Sequence, residues 1–300
     1  MTQPVTPAWI GVDWGTSNMR AWAMSQSGSV LAEASTPKGM GGLTRDDYEG
    51  VLLDTIGSWL DRPTPVIACG MVGSRQGWVE APYATVPCAA LPAGLTPAPT
   101  RDERLAVYVI SGIKQSDPAD VMRGEETQIA GFLALNKNWD GVICLPGTHT
   151  KWVHVSAGEV VSFQTCMTGE LFHVTATRTV LRHSVADTGW DDAAFLQGVE
   201  TTMARPERLA ARLFGIRAES LLDGLDGAAA RARLSGLLIG AELASAKPYW
   251  LGQQIAVIGE GSLAGHYVAA LAAQAATASQ VNAKSATRAG LAAAYARLKG

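Results

Sequence analysis

Apolar and polar positions follow one pattern that occurs in both halves of the chain. Residues 9–36 predict an apolar strand, a Gly-Thr turn, a second strand, a Ser-Gly turn and a third strand. Residues 141–165 repeat this plan, so that Gly147-Thr148 corresponds to Gly15-Thr16. Self-similarity of this kind indicates a duplicated structural unit.

Each three-stranded segment is followed by helical periodicity and a further buried strand. Residues 43–61 predict an amphipathic helix, and apolar strands end in GMVGS and in VIGEGS. A mostly helical insertion in the second half carries Gly236 and Gly240 one turn apart, which predicts either close helix packing or contact with a nucleotide. The pattern predicts an α/β protein with domains at 1–135 and 136–300, the last helix packing back toward their interface.

Composition narrows the class of ligand. Of the 300 residues 47% are hydrophobic and 17% charged, and the net charge is -3, so a large core is expected. No run of Lys or Arg favours nucleic acid or an anionic membrane, and no segment resembles a signal peptide or membrane span. Four cysteines without a CxxC pair predict free thiols and a cytoplasmic location. The sequence is compatible with a homodimer.

The two Gly-Thr turns are the first candidates for chemistry. One such turn is ordinary in a hairpin, whereas two at equivalent points of a repeat predict backbone N–H groups that face a polyphosphate across a cleft. Asp13 ends the first apolar strand, where it suits a Mg²⁺ ion, with hydrogen bonding to its own turn as the alternative. The predicted nucleotide-binding residues here are Gly15, Thr16, Ser17, Gly147, Thr148, His149, Thr150 and Lys151.

A third glycine turn follows the strand IAVI and comprises Gly259, Glu260, Gly261 and Ser262. It also matches a dinucleotide fingerprint, but no Asp or Glu occurs after Glu260 to hold a ribose. No GxxxxGK[ST] motif is present either. The turn therefore predicts an adenosine moiety packed against bare backbone.

Two further motifs suggest acid-base chemistry and substrate binding. Glu125 and Glu126 open a helix, where they either complement the helix dipole or remove the proton of an attacking hydroxyl. The segment GSRQGW follows a strand end, and an arginine there is suited to a carboxylate, with a surface salt bridge as the alternative. The candidate substrate-binding residues are Ser74, Arg75, Gln76 and Trp78.

These motifs resemble those of a known superfamily. VDWGTSN, CLPGTHTKWV and VIGEGS look like the phosphate 1, phosphate 2 and adenosine motifs of actin, hexokinase and the sugar kinases. Together with GMVGSRQGWVEAPY, MRGEETQ, MTGELF and LSGLLIGAEL they are similar to the 2-dehydro-3-deoxygalactonokinase family over nearly the whole chain.

The resemblance implies two ribonuclease H-like domains of the actin-like ATPase fold that close on ATP and Mg²⁺ in an interdomain cleft. It implies phosphorylation of a small sugar acid, 2-dehydro-3-deoxy-D-galactonate, to its 6-phosphate in galactonate catabolism. Asp13 matches the magnesium-associated Asp. Sugar kinases often place an Asp base where this chain has Glu125-Glu126, and Glu126 is favoured because Gln128 then falls where relatives carry an amide.

Three alternatives remain at this point. They are a related kinase for another small acid or alcohol, a non-catalytic nucleotide-dependent sensor, and a dehydrogenase. The absence of an acidic residue to hold the ribose argues against the dehydrogenase.

Overall fold

The computed structural model describes residues 5–299. Contacts divide these residues into two compact units. The first contains residues 5–139, 156–162 and 283–299, and the second contains 140–155 and 163–282.

Residues 5–139 are rich in strands. The strands are β1 Trp9–Trp14, β2 Met19–Met24, β3 Val30–Thr36, β4 Thr64–Gly70, β5 Tyr83–Thr85, β6 Cys88–Ala89, β7 Leu95–Pro97, β8 Leu105–Ile110, β9 Gly112–Ser116 and β10 Ala119–Met122. The helices are α1 Asp47–Ile56 and α2 Glu125–Leu135. α1 begins where the Asp47 carboxylate accepts hydrogen bonds from the backbone N–H and hydroxyl of Thr44.

The remainder of the described chain is mostly helical. Its strands are β11 Gly141–Leu145, β12 Thr150–Ser156, β13 Glu159–Cys166, β14 Ile255–Gly259 and β15 Ala278–Asn282. Its helices are α3 Thr168–Arg178, α4 Asp192–Ala204, α5 Leu209–Leu222, α6 Gly227–Ser245, α7 Lys247–Trp250, α8 Gly261–Ala272 and α9 Ala283–Leu298. No helix among residues 5–299 is long and apolar enough to cross a membrane.

The main sheets of the two units have the same strand order. The first runs β3-β2-β1-β4-β8, with β7 added at the edge. Read in the same direction, the second runs β13-β12-β11-β14-β15. In each, the central strand pairs antiparallel with the next strand of the chain and parallel with the strand that follows the helical connection. This is the ribonuclease H-like order, so the predicted α/β class with two such domains is confirmed.

Each sheet is buried against its own hydrophobic core. In the first unit β1 packs with α1 around Trp14, Tyr48 and Trp78, whose rings lie 4.8 to 6.4 Å apart. In the second, β11 and β14 pack with α4, α6 and α8 around Trp152 and Tyr267. Because β1, β11 and β14 are buried in these cores, the polar turns that follow them lie at the strand ends.

The contact units differ from the predicted division in that residues 136–139 and 156–162 and the helix α9 belong to the first unit. An added Cβ at Gly131 of α2 would overlap the carbonyl of Ala286, and one at Gly290 of α9 would overlap that of Thr127. The small residues of α9 thus allow backbone contact with α2, and Tyr295 stacks on Trp9 at 4.7 Å.

Gly236 and Gly240 serve close helix packing. A Cβ at either position of α6 would overlap backbone oxygens of α4, at Phe195 and Val199. Of the two alternatives that the sequence left open, the structure therefore gives a packing role to both glycines.

Candidate functional site

Three segments of the first unit meet at Gly70, the last residue of β4. Its φ of 90° and its missing side chain allow this contact, because a Cβ would lie 2.6 Å from the Trp14 carbonyl and 3.5 Å from Oδ1 of Asp13. The Cα of Gly70 also lies 3.4 Å from the Cβ position of Gly124, just before α2. Asp13 and the first turn of α2 are therefore brought to one place.

Asp13 lies at the rim of this junction. Its Oδ2 accepts a hydrogen bond from Nη2 of Arg20 at 2.8 Å, and its side chain keeps 19% exposure. Gly15 closes the following turn by donating to the Asn18 carbonyl at 2.9 Å, and Thr16 and Ser17 are exposed. The turn thus offers its hydroxyls to solvent beside a partly exposed carboxylate.

Glu125 and Glu126 have different surroundings. Glu126 is fully buried and accepts from the N–H of Gly124 at 2.6 Å and from the hydroxyl of Thr127 at 3.0 Å. Burial, followed by the charge of Glu125, raises the pKa of Glu126 to about 7. Glu125 is partly exposed and accepts from the N–H of Arg123 at 3.1 Å. Only Glu125 therefore presents carboxylate surface to a ligand in this conformation.

The predicted substrate-binding residues divide into exposed and buried ones. Arg75 and Gln76 are exposed, whereas Ser74 is buried and its hydroxyl has no hydrogen-bond partner among the described residues. Trp78 is 5% exposed and stacks on Tyr48 at 5.9 Å. Trp78 therefore belongs to the core and anchors the segment that carries Arg75 and Gln76.

In the second unit, the Gly147-Thr148 turn is fixed by the start of α3. The N–H of Glu170 donates to the Thr148 carbonyl at 2.9 Å, and Nε2 of His149 lies 2.6 Å from the Glu170 carboxylate. A Cβ at Gly169 would overlap the Gly147 carbonyl. The start of α3 therefore packs directly against the turn.

Thr150 and Lys151 lie beneath this turn, at the start of β12. Both are buried, and the Thr150 hydroxyl lies 2.9 Å from the Tyr267 hydroxyl. The sequence predicted both as nucleotide-binding residues, and the structure buries both.

The predicted adenosine turn lies next to the phosphate turn. A Cβ at Gly259 would lie 2.8 Å from that of Ala264 and 3.7 Å from Cδ of Pro146, which precedes Gly147. Gly261 adopts a φ of 63° and begins α8, and Glu260, Gly261 and Ser262 are exposed. The free N–H groups at the start of α8 favour an anion there.

Both turns border one cavity of about 340 Å³. Its remaining wall comes from α3, α6, α8 and the segment before α4, and the lining residues are Gly147, Thr148, Thr168, Gly169, Phe172, Trp190, Arg231, Ser235, Leu238, Ile239, Ser262, Leu263, His266 and Tyr267. A cleft of this size, apolar with a few polar groups, is typical of a small-molecule site.

An aromatic stack stands in the cavity wall. The rings of Trp190 and His266 lie 3.8 Å apart and 5° from parallel, and Phe195 packs beside both. Burial lowers the pKa of His266, although Asp192 opposes this effect. The imidazole is therefore favoured in its neutral form, in which it adds a flat surface to the wall.

The cavity residues of the insertion were not predicted individually. Phe172 lies in MTGELF and Ser235 in LSGLLIGAEL, two segments that the resemblance singled out without assigning roles. Trp190 and Arg231 lie outside all of these sequence motifs. Family motifs therefore marked Phe172 and Ser235 in the sequence, but only the folded insertion shows that these residues line one cavity.

No group of three or more His, Cys, Asp or Glu side chains that could hold a metal occurs among residues 5–299. Mg²⁺ at a nucleotide site usually binds one or two carboxylates, phosphate oxygens and water. A single partly exposed carboxylate such as Asp13 fits that donor set.

Comparison with known proteins gives one consistent result. A sequence model of the family described as 2-keto-3-deoxy-galactonokinase matches residues 13–294. A curated relative from Rhizobium meliloti (strain 1021), named as a 2-dehydro-3-deoxygalactonokinase, is 38% identical over 294 residues, which cover 95% of this chain and 96% of the relative. The 2-dehydro-3-deoxygalactonokinase of Escherichia coli (strain K12) is 34% identical over 295 residues, which cover 96% and 97%.

Solved structures agree with this result. A crystal structure from Sinorhizobium meliloti, described as a 2-dehydro-3-deoxygalactonokinase protein, matches with a TM-score of 0.88 and 39% identity, over 97% of this chain and 96% of that one. Component A of (R)-2-hydroxyglutaryl-CoA dehydratase from Acidaminococcus fermentans matches with a TM-score of 0.54 and 11% identity, over 97% and 99%. The latter likeness concerns the fold alone.

Proposed function

Because the chain belongs to the 2-keto-3-deoxy-galactonokinase family, we propose that it transfers the γ-phosphate of ATP to 2-dehydro-3-deoxy-D-galactonate. The substrate's terminal hydroxyl oxygen forms a bond to the γ-phosphorus, and the bond from that phosphorus to the β,γ-bridging oxygen breaks. ADP leaves, the hydroxyl proton passes to a carboxylate, and the product is the 6-phosphate.

The observation that carries the proposal is the cavity bordered by Gly147, Thr148 and Ser262. The first residues of two helices, α3 and α8, also line it, so that N–H groups and helix dipoles favour phosphate there. The wall formed by Trp190 and His266 suits the flat face of a nucleobase. We therefore place ATP in this cavity.

Asp13 is the proposed magnesium ligand, directly or through water. Magnesium would neutralise phosphate charge in the transition state, and Thr16 and Ser17 would donate hydroxyl hydrogens to phosphate oxygens. The reaction requires these groups and the cavity residues to act on the same nucleotide.

We propose Glu125 as the proton acceptor and Glu126 as the residue that fixes the start of α2. This reverses the preference derived from Gln128, because Glu126 has no exposed surface and already holds the N–H of Gly124. Arg75 is the proposed partner of the substrate carboxylate, since its exposed guanidinium can bind a carboxylate with two hydrogen bonds.

We also propose a cytoplasmic location. Cys69, Cys88 and Cys144 are free thiols, which are typical of a reducing compartment.

The test is an ADP-release assay with ATP, Mg²⁺ and a panel of acceptors. The panel contains 2-dehydro-3-deoxy-D-galactonate, its gluconate epimer, hexoses, glycerol and pantothenate. We expect selective turnover of the galactonate compound. Turnover of a neutral sugar alone, or ADP release independent of any acceptor, would contradict the proposed substrate.

A further inference from the structure

A buried carboxylate lies behind the cavity of the second unit. Glu242 of α6 is 4% exposed. Its Oε1 accepts from Nε1 of Trp152 at 2.7 Å, and its Oε2 accepts from the Tyr267 hydroxyl at 2.8 Å and from the Thr168 hydroxyl. Three donors on one carboxylate offset much of the cost of burying it.

The three donors come from three different elements around the cavity. Trp152 lies in β12, which follows the Gly147-Thr148 turn, whereas Thr168 begins α3 and Tyr267 lies in α8. Thr168 and Tyr267 line the cavity, and Glu242 lies beyond that lining. Glu242 therefore connects several parts of the wall without itself reaching the cavity.

The helix that carries Glu242 is fixed in place. Gly236 and Gly240 put the α6 backbone directly against that of α4. The first turn of α3 in turn packs on the phosphate turn through Gly169 and through the hydrogen bond from Glu170 to Thr148. A hydrogen bond from Thr168 to Glu242 thus ties the start of α3 to a helix that packs closely on α4.

We propose that Glu242 is a positioning residue for nucleotide binding, which holds the start of α3 and the Tyr267 side chain in the geometry that receives ATP. The inference rests on the proposed function, because it takes the cavity to be the nucleotide site. It concerns a residue that touches neither nucleotide nor sugar acid.

The ionised form of Glu242 accepts all three hydrogen bonds, whereas the protonated form must donate one. Burial raises the pKa of Glu242 to about 7. The titratable groups facing it are Tyr267 and Cys144, whose pKa values burial raises further above neutrality, and Cys166 lies beside Cys144. As the pH falls through about 7, Glu242 takes up a proton and loses one acceptor function. Nucleotide affinity should therefore fall with it.

The experiment measures ADP binding by calorimetry for the wild type and Glu242→Gln, at about pH 8 and about pH 6.5. We expect Glu242→Gln to bind ADP about tenfold more weakly than the wild type at the higher pH. The wild type should lose more affinity than the variant at the lower pH, because the ADP phosphate takes up a proton with either protein but Glu242 does so only in the wild type. In steady-state assays the KM for ATP should rise while kcat and the KM for the sugar acid stay within about twofold.

Thr202→Val is the matched control. It removes a buried hydrogen bond of 2.7 Å from α4 to the Leu237 carbonyl of α6. We expect a lower melting temperature with unchanged ADP binding, because that bond lies outside the Glu242 cluster. Tyr267→Phe provides a second variant of nearly equal volume if Glu242→Gln does not fold, and weaker ADP binding is expected for it too.

The outcomes separate the inference from its premise. Wild-type protein that does not bind ADP would overturn the proposed function and the inference with it. Normal ADP binding by the wild type, with unchanged affinity and pH dependence in the Glu242 and Tyr267 variants, would overturn the inference alone. Equal rises in the KM for ATP and for the sugar acid would also overturn it, since they indicate general damage.

Discussion

Nη2 of Arg20 lies 2.8 Å from Oδ2 of Asp13, and the two residues face each other across the first β-hairpin. Asp13 thus has a protein partner as well as a proposed metal. If Asp13 only pairs with Arg20, replacing either residue should have a similar effect on kcat. If Asp13 also holds Mg²⁺, its replacement should have the larger effect.

Asp13→Asn should lower kcat by more than about a hundredfold, because charge stabilisation through a metal contributes several kcal/mol. Arg20→Met should lower kcat by less than about tenfold, since it leaves the carboxylate in place. ADP release measured over rising Mg²⁺ concentrations tests both variants, with melting temperatures as the check on folding. Equal losses in the two variants would mean that Asp13 serves mainly to pair with Arg20.

The repeat and the fold class could both be predicted from the sequence. Gly-Thr turns after equivalent apolar strands predicted a duplicated unit, because strand periodicity and turn chemistry are local properties, and the family resemblance implied its ribonuclease H-like fold. Membership of α9 in the first unit was harder to predict, since it depends on backbone contact at Gly131 and Gly290 between helices distant in sequence.

The candidate site was predicted in part, for a similar reason. The Gly147-Thr148 and Ser262 turns carry local signals, and they border one cavity. The burial of Lys151 and the stack of Trp190 on His266 arise from tertiary packing, which periodicity does not encode. The roles of Glu125 and Glu126 likewise depend on which side chain the first turn of α2 buries.

Replacement of the two glutamates should distinguish their roles. Glu125→Gln should lower kcat by about 10²- to 10⁴-fold, the usual contribution of a general base. Glu126→Gln should lower kcat by less than about tenfold, because the amide oxygen still accepts from Gly124. Single-turnover phosphoryl transfer is the appropriate measurement, as it isolates chemistry from product release. The opposite order of effects would return the base role to Glu126.

Removal of the exposed guanidinium should affect the sugar acid selectively. Arg75→Ala should raise the KM for 2-dehydro-3-deoxy-D-galactonate by about tenfold or more, since a charged bidentate hydrogen bond is lost. The KM for ATP should change little. Arg212→Ala, at an exposed position on α5, is the matched control and should behave as the wild type. Equal changes in both KM values would remove Arg75 from the proposed carboxylate site.

Loss of the aromatic wall should weaken nucleotide binding. Trp190→Leu should raise the KM for ATP by about fivefold to thirtyfold, since stacking and apolar contact of one ring contribute about 1–2 kcal/mol. The KM for the sugar acid should be unaffected. The chain has nine tryptophans, so the direct check is an ADP-induced fluorescence change that the wild type shows and Trp190→Leu lacks. An unchanged KM for ATP would place the nucleobase away from this stack.

Two glycine substitutions test the packing of α2 against α9. Gly290→Ala places a methyl group on the Thr127 carbonyl, so the helices must separate, and overpacking of this kind typically costs about 1–3 kcal/mol or more. Gly50→Ala is the control, because its methyl group meets no atom within 4 Å on the exposed side of α1. Alanine there should stabilise by about 0.5–1 kcal/mol through helix propensity. Urea denaturation would measure the free energy of unfolding of both variants. The result for Gly290→Ala tests the position of α9. If Gly290→Ala were as stable as the wild type, the two helices could not be in backbone contact, and α9 would have to be assigned anew.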